Sequence, residues 1–217
     1  MIQKETIILE KCPNLILGCL TGKVTVESTN EELRNYISEK LKIIPEERNL
    51  ESVSQFPTIR TTRDAYRTLG KKPGRYRPSA EALTRRILQG KGLYEVNNFV
   101  DCLNLISILS GFSIGGYDLE KIQGLIRLGK GNENEPYEAI GRGALNIHNL
   151  PILRDDLGAF GSPTSDSVRT MITENTKQFL MVFFNFGGHE NLKFWMSESQ
   201  KLFREFAAGN DFKFKCY

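Results

Sequence analysis

The chain has 217 residues, 40% hydrophobic and 25% charged, which supplies apolar material for one sizeable core and excludes a disordered segment, so a single domain over 1–217 is expected. A net charge of +3 excludes a uniformly basic protein, yet the charge is uneven: residues 60–91 hold ten Lys or Arg against Asp64 and Glu81, +8 locally and −5 elsewhere. The longest apolar run, 179–184, is far short of the ~20 residues that cross a bilayer. Cys12, Cys19, Cys102 and Cys216 lack CxxC spacing, and the MIQKETIILEK start has no apolar centre like that of a signal peptide, so a cytoplasmic protein with no membrane partner is expected.

Residues 6–27 read as two or three strands, IILE, LILGCL and KVTVE, with turns at Pro13-Asn14 and Thr21-Gly22. Asn30, followed by Glu31 and Glu32, caps a helix with the stripe Leu33, Tyr36, Ile37 and Leu41, which Pro45 stops near residue 44. Thr58 caps a helix carrying Arg60, Arg63, Tyr66 and Arg67, broken by Gly70-Lys71-Lys72-Pro73-Gly74. Ser79 caps a second helix through Leu88, with Arg85 and Arg86 near its end. Phe99, Val100, Leu103 and Ile106 recur at helical spacing behind Asn97 or Asn98, and Gly111 stands where a helix C-terminus takes glycine. The run 113–118 then reads as a small-residue loop, with Asp118 capping a turn over 119–122. Strands are predicted near 125–128, 137–140 and 150–153, a turn at 155–158, a second small-residue loop at 159–166 and a buried strand at 177–186. A helix over 191–208 and an edge strand at 211–216 complete the pattern, and strands outnumbering clustered helices favour an α+β class.

Arginines interleaved with Tyr66 and Tyr76 offer phosphate forks and stacking faces together, the combination that holds a single-stranded or irregular RNA end; the residues concerned are Arg60, Arg63, Arg67, Lys71, Lys72, Arg75, Arg77, Arg85 and Arg86. The alternative is a solvated helix face with structural arginines. The loops 113–118 and 161–165 can frame one pocket, with Gly115, Gly116, Tyr117 and Asp118 on one side and Gly161, Ser162, Thr164 and Ser165 on the other. The alternative there is a pair of plain turns. His148 and His189 have no metal-ligand spacing, and neither a nucleophile elbow nor a phosphate-loop lysine is present, so no metal and no cofactor is expected. Three classes stay open: an RNA-binding domain, a small-molecule-binding protein or metabolite enzyme, and a structural interaction domain.

Two stretches carry a resemblance. Val100-Asp101-Cys102-Leu103-Asn104-Leu105-Ile106 followed by Ser113-Ile114-Gly115-Gly116-Tyr117-Asp118-Leu119-Glu120-Lys121-Ile122-Gln123-Gly124 resembles the V-D-[VL]-x-N-x-[VI] and x-L-G-x-P-L-H-A-F-D-L-D-K-[IL]-x-G motifs of the B3/B4 domain of the phenylalanyl-tRNA synthetase beta subunit. The run from Gly70 to Arg86 is similar to G-K-x-P-x-x-[YF]-R-P-S-x-E-A-L-x-R-R of free-standing relatives. The resemblance, strongest over 60–186, implies a three-layer α+β fold containing a β-sandwich of unusual topology. It implies a tRNA or aminoacyl-tRNA partner and a pocket at the two loops that includes Asn104. It also implies, for an enzyme, ester hydrolysis in trans, with aminoacylation excluded because the synthetase catalytic module is missing. Editing members carry a histidine where Gly115 stands and a glutamate where Val182 stands, so tyrosyl-tRNA hydrolysis is not expected.

Overall fold

An apolar strand with both faces hydrophobic needs cover on both sides, and the run 179–184 accordingly lies at the centre. In the computed structural model, which describes residues 2–217, the chain order is β1 (Ile2–Lys4), α1 (Thr6–Lys11), β2 (Ile16–Lys23), α2 (Glu31–Leu41), α3 (Ile44–Glu47), α4 (Pro57–Leu69), α5 (Ser79–Leu88), α6 (Asn98–Ser110), β3 (Ser113–Asp118), β4 (Ile126–Lys130), β5 (Glu138–Ala139), β6 (Gly143–Ala144), β7 (Pro151–Asp155), β8 (Gly158–Gly161), β9 (Gln178–Asn185), α7 (Leu192–Phe206) and β10 (Asn210–Cys216). Strand β9 lies between β2 and β3 in an antiparallel sheet of order β10-β2-β9-β3, and a second sheet has the order β1-β4-β7-β8. In that second sheet only the β1 to β4 pairing is parallel.

Alternation along β9 builds the layers. Phe179, Met181 and Phe183 join Leu33, Phe99, Leu103, Met196 and Phe203 beneath the helices α2, α6 and α7. Leu180, Val182 and Phe184 join Leu17, Ile126, Leu128, Leu153 and Phe160 between the two sheets. Helices, first sheet and second sheet are thus three layers of an α+β fold. Phe99 stacks on Phe203 with centroids 4.4 Å apart, and burying each such ring contributes roughly 1.5–3 kcal/mol. No helix among the described residues is long and apolar enough to cross a membrane.

Several elements differ from the sequence pattern. Residues 6–11 are helical because their inward positions, Ile8 and Cys12, lie four apart rather than alternating; Leu9 is exposed. Val24 and Val26 are buried, but that segment meets its neighbours through single bonds, Val24 N–H to Lys177 O and Thr25 N–H to Ala207 O, rather than a ladder. Helix α2 stops at Leu41, and Pro45 starts α3, where its missing N–H costs nothing. Thr58 does not cap α4, which begins at Pro57; its hydroxyl donates to Ser110 O at 3.0 Å. Ser79 is the first residue of α5, and its hydroxyl caps nothing. Asn30 and Asn97 do cap, accepting from the N–H of Leu33 and Val100.

Candidate functional site

The stretch 113–118 is a strand, not a loop: all six residues pair with β9, and Gly115 stands opposite Val182. The two positions that the resemblance sets against the histidine and glutamate of editing members are therefore cross-strand neighbours, and a glycine and a valine hold them with no side-chain polar atom. Strand alternation sends Gly115 and Tyr117 toward the second sheet and Gly116 toward the helices, where a Cβ would lie 2.6 Å from Leu103 Cδ1. Neither glycine has positive φ, so close approach, not backbone conformation, accounts for both.

The two small-residue segments do meet, at the Tyr117 ring. A Cβ added to Gly115 or to Gly161 would overlap the phenol oxygen. Tyr117 is fully buried, packs edge-on against Phe160 with centroids 5.0 Å apart, and donates to Asp166 Oδ1 at 2.8 Å. Gly116 N–H donates to Asp166 Oδ2 at 3.2 Å. Burial pushes the Asp166 carboxyl up to about 7 despite these donors. Two further phenols fix the loop: Tyr66 and Thr164 share a hydroxyl bond of 2.8 Å, and Tyr137 donates to Ser165 O at 2.7 Å. Burial and the neighbouring Asp166 raise Tyr137, and burial raises Tyr66.

Ser162, Thr164 and Asp118, which the sequence offers to a ligand, are engaged within the fold. Ser162 Oγ accepts from the N–H of Thr164 and of Ser165 and donates to Ser165 O at 2.8 Å. Asp118 accepts from Glu120 N–H at 3.1 Å and from the Thr176 hydroxyl at 2.8 Å. Asn104 is half-buried on α6, in the helical layer and so on the far side of β3 from Tyr117. The places of Asp166, Tyr66 and Tyr137 in this site are not legible in the sequence. The signal available was the need of each buried phenol for a partner, which names no partner.

The basic segment divides in two. Arg63 and Arg85 close on the fully buried Glu81 at 2.6 and 2.9 Å, Arg67 pairs with Asp64, and Arg86 donates to Lys91 O and lies over the Tyr94 ring. Lys71 is buried, donating to Asn146 O at 2.8 Å and His148 O at 2.7 Å with Tyr76 3.7 Å away; burial and Arg75 bring its amine down to about 8. Arg60, Lys72, Arg75 and Arg77 are exposed and, among the described residues, take part in no ion pair. Arg142 is likewise exposed and unpaired, at the tip of the β5–β6 hairpin between Gly141 and Gly143, both at positive φ. Ile140 N–H donates to Asp166 O, which ties that hairpin to the loop below Tyr117.

Lys71 and Lys72 therefore separate by experiment. Lys71→Met is expected to lower stability by ~1–3 kcal/mol, because two carbonyls lose their donor. Lys72→Ala should leave stability within ~0.5 kcal/mol. Urea unfolding of the two variants measures the difference, and equal effects would contradict the assignment of Lys71 as a structural clamp.

A family model described as the B3/4 domain matches residues 61–204. No curated protein matches the chain. Among solved structures, an N-terminal fragment of the phenylalanyl-tRNA synthetase beta-subunit from Pyrococcus horikoshii is similar at 13% identity and a TM-score of 0.47, over 97% of this chain and 49% of that one. The chain thus spans about half the length of that fragment.

Proposed function

The chain belongs to the B3/4 domain family, and from that premise we propose that it is an RNA-binding domain that grips the 3′ end of a tRNA or aminoacyl-tRNA in the cytoplasm. The observation that carries this reading is the set of cations left without acidic partners, Arg60, Lys72, Arg75 and Arg77 with Arg142 on its hairpin. Residues 70–77 and 137–149 form one body that carries Lys72, Arg75, Arg77 and Arg142, with Arg60 apart on the first turn of α4: Lys71 clamps the carbonyls of 146 and 148, and Tyr76 and Leu145 pack on the Tyr66, Tyr137 and Ile147 cluster. Charges on a preformed frame lose less entropy on binding than charges on a mobile loop. Lys71 is engaged inside that frame, Arg63 and Arg85 are engaged on Glu81, and Arg67 and Arg86 are taken up by local contacts with Asp64 and Lys91.

Anisotropy titrations of a labelled tRNA across salt test the reading. Lys72→Ala, Arg75→Ala and Arg77→Ala combined should flatten the log–log salt slope by about 2–3, at ~0.7–0.9 per phosphate contact. Binding indifferent to salt, or unchanged in the triple variant, would refute it. Ester hydrolysis is not part of the proposal, since Gly115 and Val182 offer no polar group to hold a substrate or a water. Incubation with mischarged tyrosyl-tRNA is expected to give the uncatalysed rate, and turnover well above it would restore the enzymatic reading.

A further inference from the structure

We propose that the cavity between α2 and the 90–95 segment binds a small free amine, its alkyl chain on the apolar walls and its ammonium on the Asp101 carboxylate. The cavity lies in the helical layer, on the far side of the first sheet from Tyr117. This inference does not rest on the RNA-binding reading, and either can fail without the other.

The cavity measures about 430 Å³, within the range of small-molecule sites. Ile37 and Leu41, one turn apart on α2, line it together with Ile87 near the end of α5 and Leu93 beyond that helix, so most of its surface is apolar. Gly90 and Gly92, both at positive φ, carry the chain past the rim, and nothing stands within 4 Å of a Cβ built on either, so neither glycine closes the space.

One polar group in this lining is unlike the rest. Asp101, in the first turn of α6, is only 2% exposed. Its carboxylate accepts from the Thr29 hydroxyl at 2.5 Å and from Val96 N–H at 3.1 Å, both neutral donors, and among the described residues it takes part in no ion pair. A carboxylate offers about four acceptor sites, so room for a further donor remains. The other charges lining the cavity already have partners. Arg34 forks onto Glu95 through Nε at 2.7 Å and Nη2 at 3.0 Å, and Lys42 pairs with Glu39. Asp101 alone is left without an opposite charge, which favours a cation in the cavity and opposes an anion. Burial raises its carboxyl above the ordinary value, against the bonds from Thr29 and Val96, as expected of a carboxylate enclosed without a counter-charge. An ammonium would supply that charge, and the apolar walls would take the chain behind it.

Calorimetric titrations of the full chain with hexylammonium, 1-hexanol and hexanoate at one ionic strength test the proposal. Hexylammonium is expected to bind about tenfold more tightly than either of the others, because only it brings a charged donor to Asp101. Asp101→Asn should remove that difference. Ser38→Trp, which puts a bulky ring at the cavity from an exposed position on α2, should weaken hexylammonium about tenfold while the protein stays folded. Nα-acetyl-lysine amide carries the same ammonium on a peptide backbone and should bind more weakly than the free amine. Hexanol or hexanoate binding as tightly as hexylammonium, a preference that survives Asp101→Asn, or an affinity unchanged by Ser38→Trp would each overturn the proposal. So would tighter binding of the lysine amide, or no saturable binding of hexylammonium at all. If Asp101→Asn does not fold, the three wild-type titrations and Ser38→Trp decide by themselves.

Discussion

Glu81→Ala is expected to destabilise the protein by ~3–5 kcal/mol, among the largest effects of any single substitution in the chain. Its carboxylate is fully buried and is shared by Arg63 Nη1 at 2.6 Å, from α4, and Arg85 Nε at 2.9 Å, one turn along α5. Arg85 keeps a second acceptor, Leu50 O at 2.8 Å, so the main penalty falls on Arg63, whose side chain is only 15% exposed. Without Glu81 two guanidinium groups face each other across a helix junction in a poorly hydrated site, and desolvated like charges repel strongly. Replacing the Arg63–Glu81 pair together is a different matter: Glu81→Leu with Arg63→Met should recover most of the loss, because the apolar pair carries no desolvation penalty and Arg85 keeps Leu50 O. Chemical denaturation of the single and double variants checks both statements. A single-variant loss below ~1 kcal/mol would mean that water reaches the pair. Because α4 and α5 flank the 70–78 segment, Glu81→Ala should also displace Lys72, Arg75 and Arg77, weakening RNA binding without removing a cation.

The protein is also expected to lose stability as pH rises from about 4 to about 7, through Asp166. The carboxyl titrates near the ordinary carboxylate value, about 3.9, in the unfolded chain and near 7 in the folded one, where burial opposes its charge. Between those values the folded state binds the extra proton, so the stabilisation is fully present below the unfolded pKa and disappears as pH passes the folded one. Its upper limit is about 4 kcal/mol. Tyr117 and the N–H of Gly116 and Ser162 donate to the carboxylate and limit the loss. Glu135 and Asp155 act in the opposite sense: against burial, hydrogen bonds from Arg154 hold Glu135, and those from Gln123 N–H and then Arg169 hold Asp155, below the usual carboxylate range, and their stabilisation is lost as acid protonates them. The measurement is therefore the difference between wild type and Asp166→Asn, taken by urea unfolding at several pH values. A difference independent of pH between 4 and 7 would exclude an Asp166 that titrates in this range.

Local and periodic features of this chain are legible in its sequence. Asn30 and Asn97 accept the bonds expected of helix caps, Gly70 and Gly111 end their helices in the left-handed conformation, and 178–185 is a strand covered on both faces. Each depends on neighbours within a few residues or on a repeat of 2 or 3.6, so a short contiguous stretch carries all the information needed. The α+β class and the resemblance carried by 70–86 and 100–124 are legible for the same reason, being ordered runs of residue types.

What the chain does with its charged and small residues was decided by contacts distant in sequence. Arg63 and Arg67 look alike on one helix, yet one meets a buried glutamate 18 residues away and the other a surface aspartate three residues away. Lys71 and Lys72 are adjacent, but opposite sides of the chain place one on the carbonyls of residues 146 and 148 and the other in solvent. Gly115 and Gly161 are 46 residues apart and become one site only because the edges of two sheets converge on a single phenol. Sequence by itself determined the strongly periodic and capped segments, and which residues are available to bind, but not the class of 6–11 or 113–118. Tertiary structure alone decided which of those are already engaged, because burial and partner distance are properties of the packed chain and not of any stretch of it.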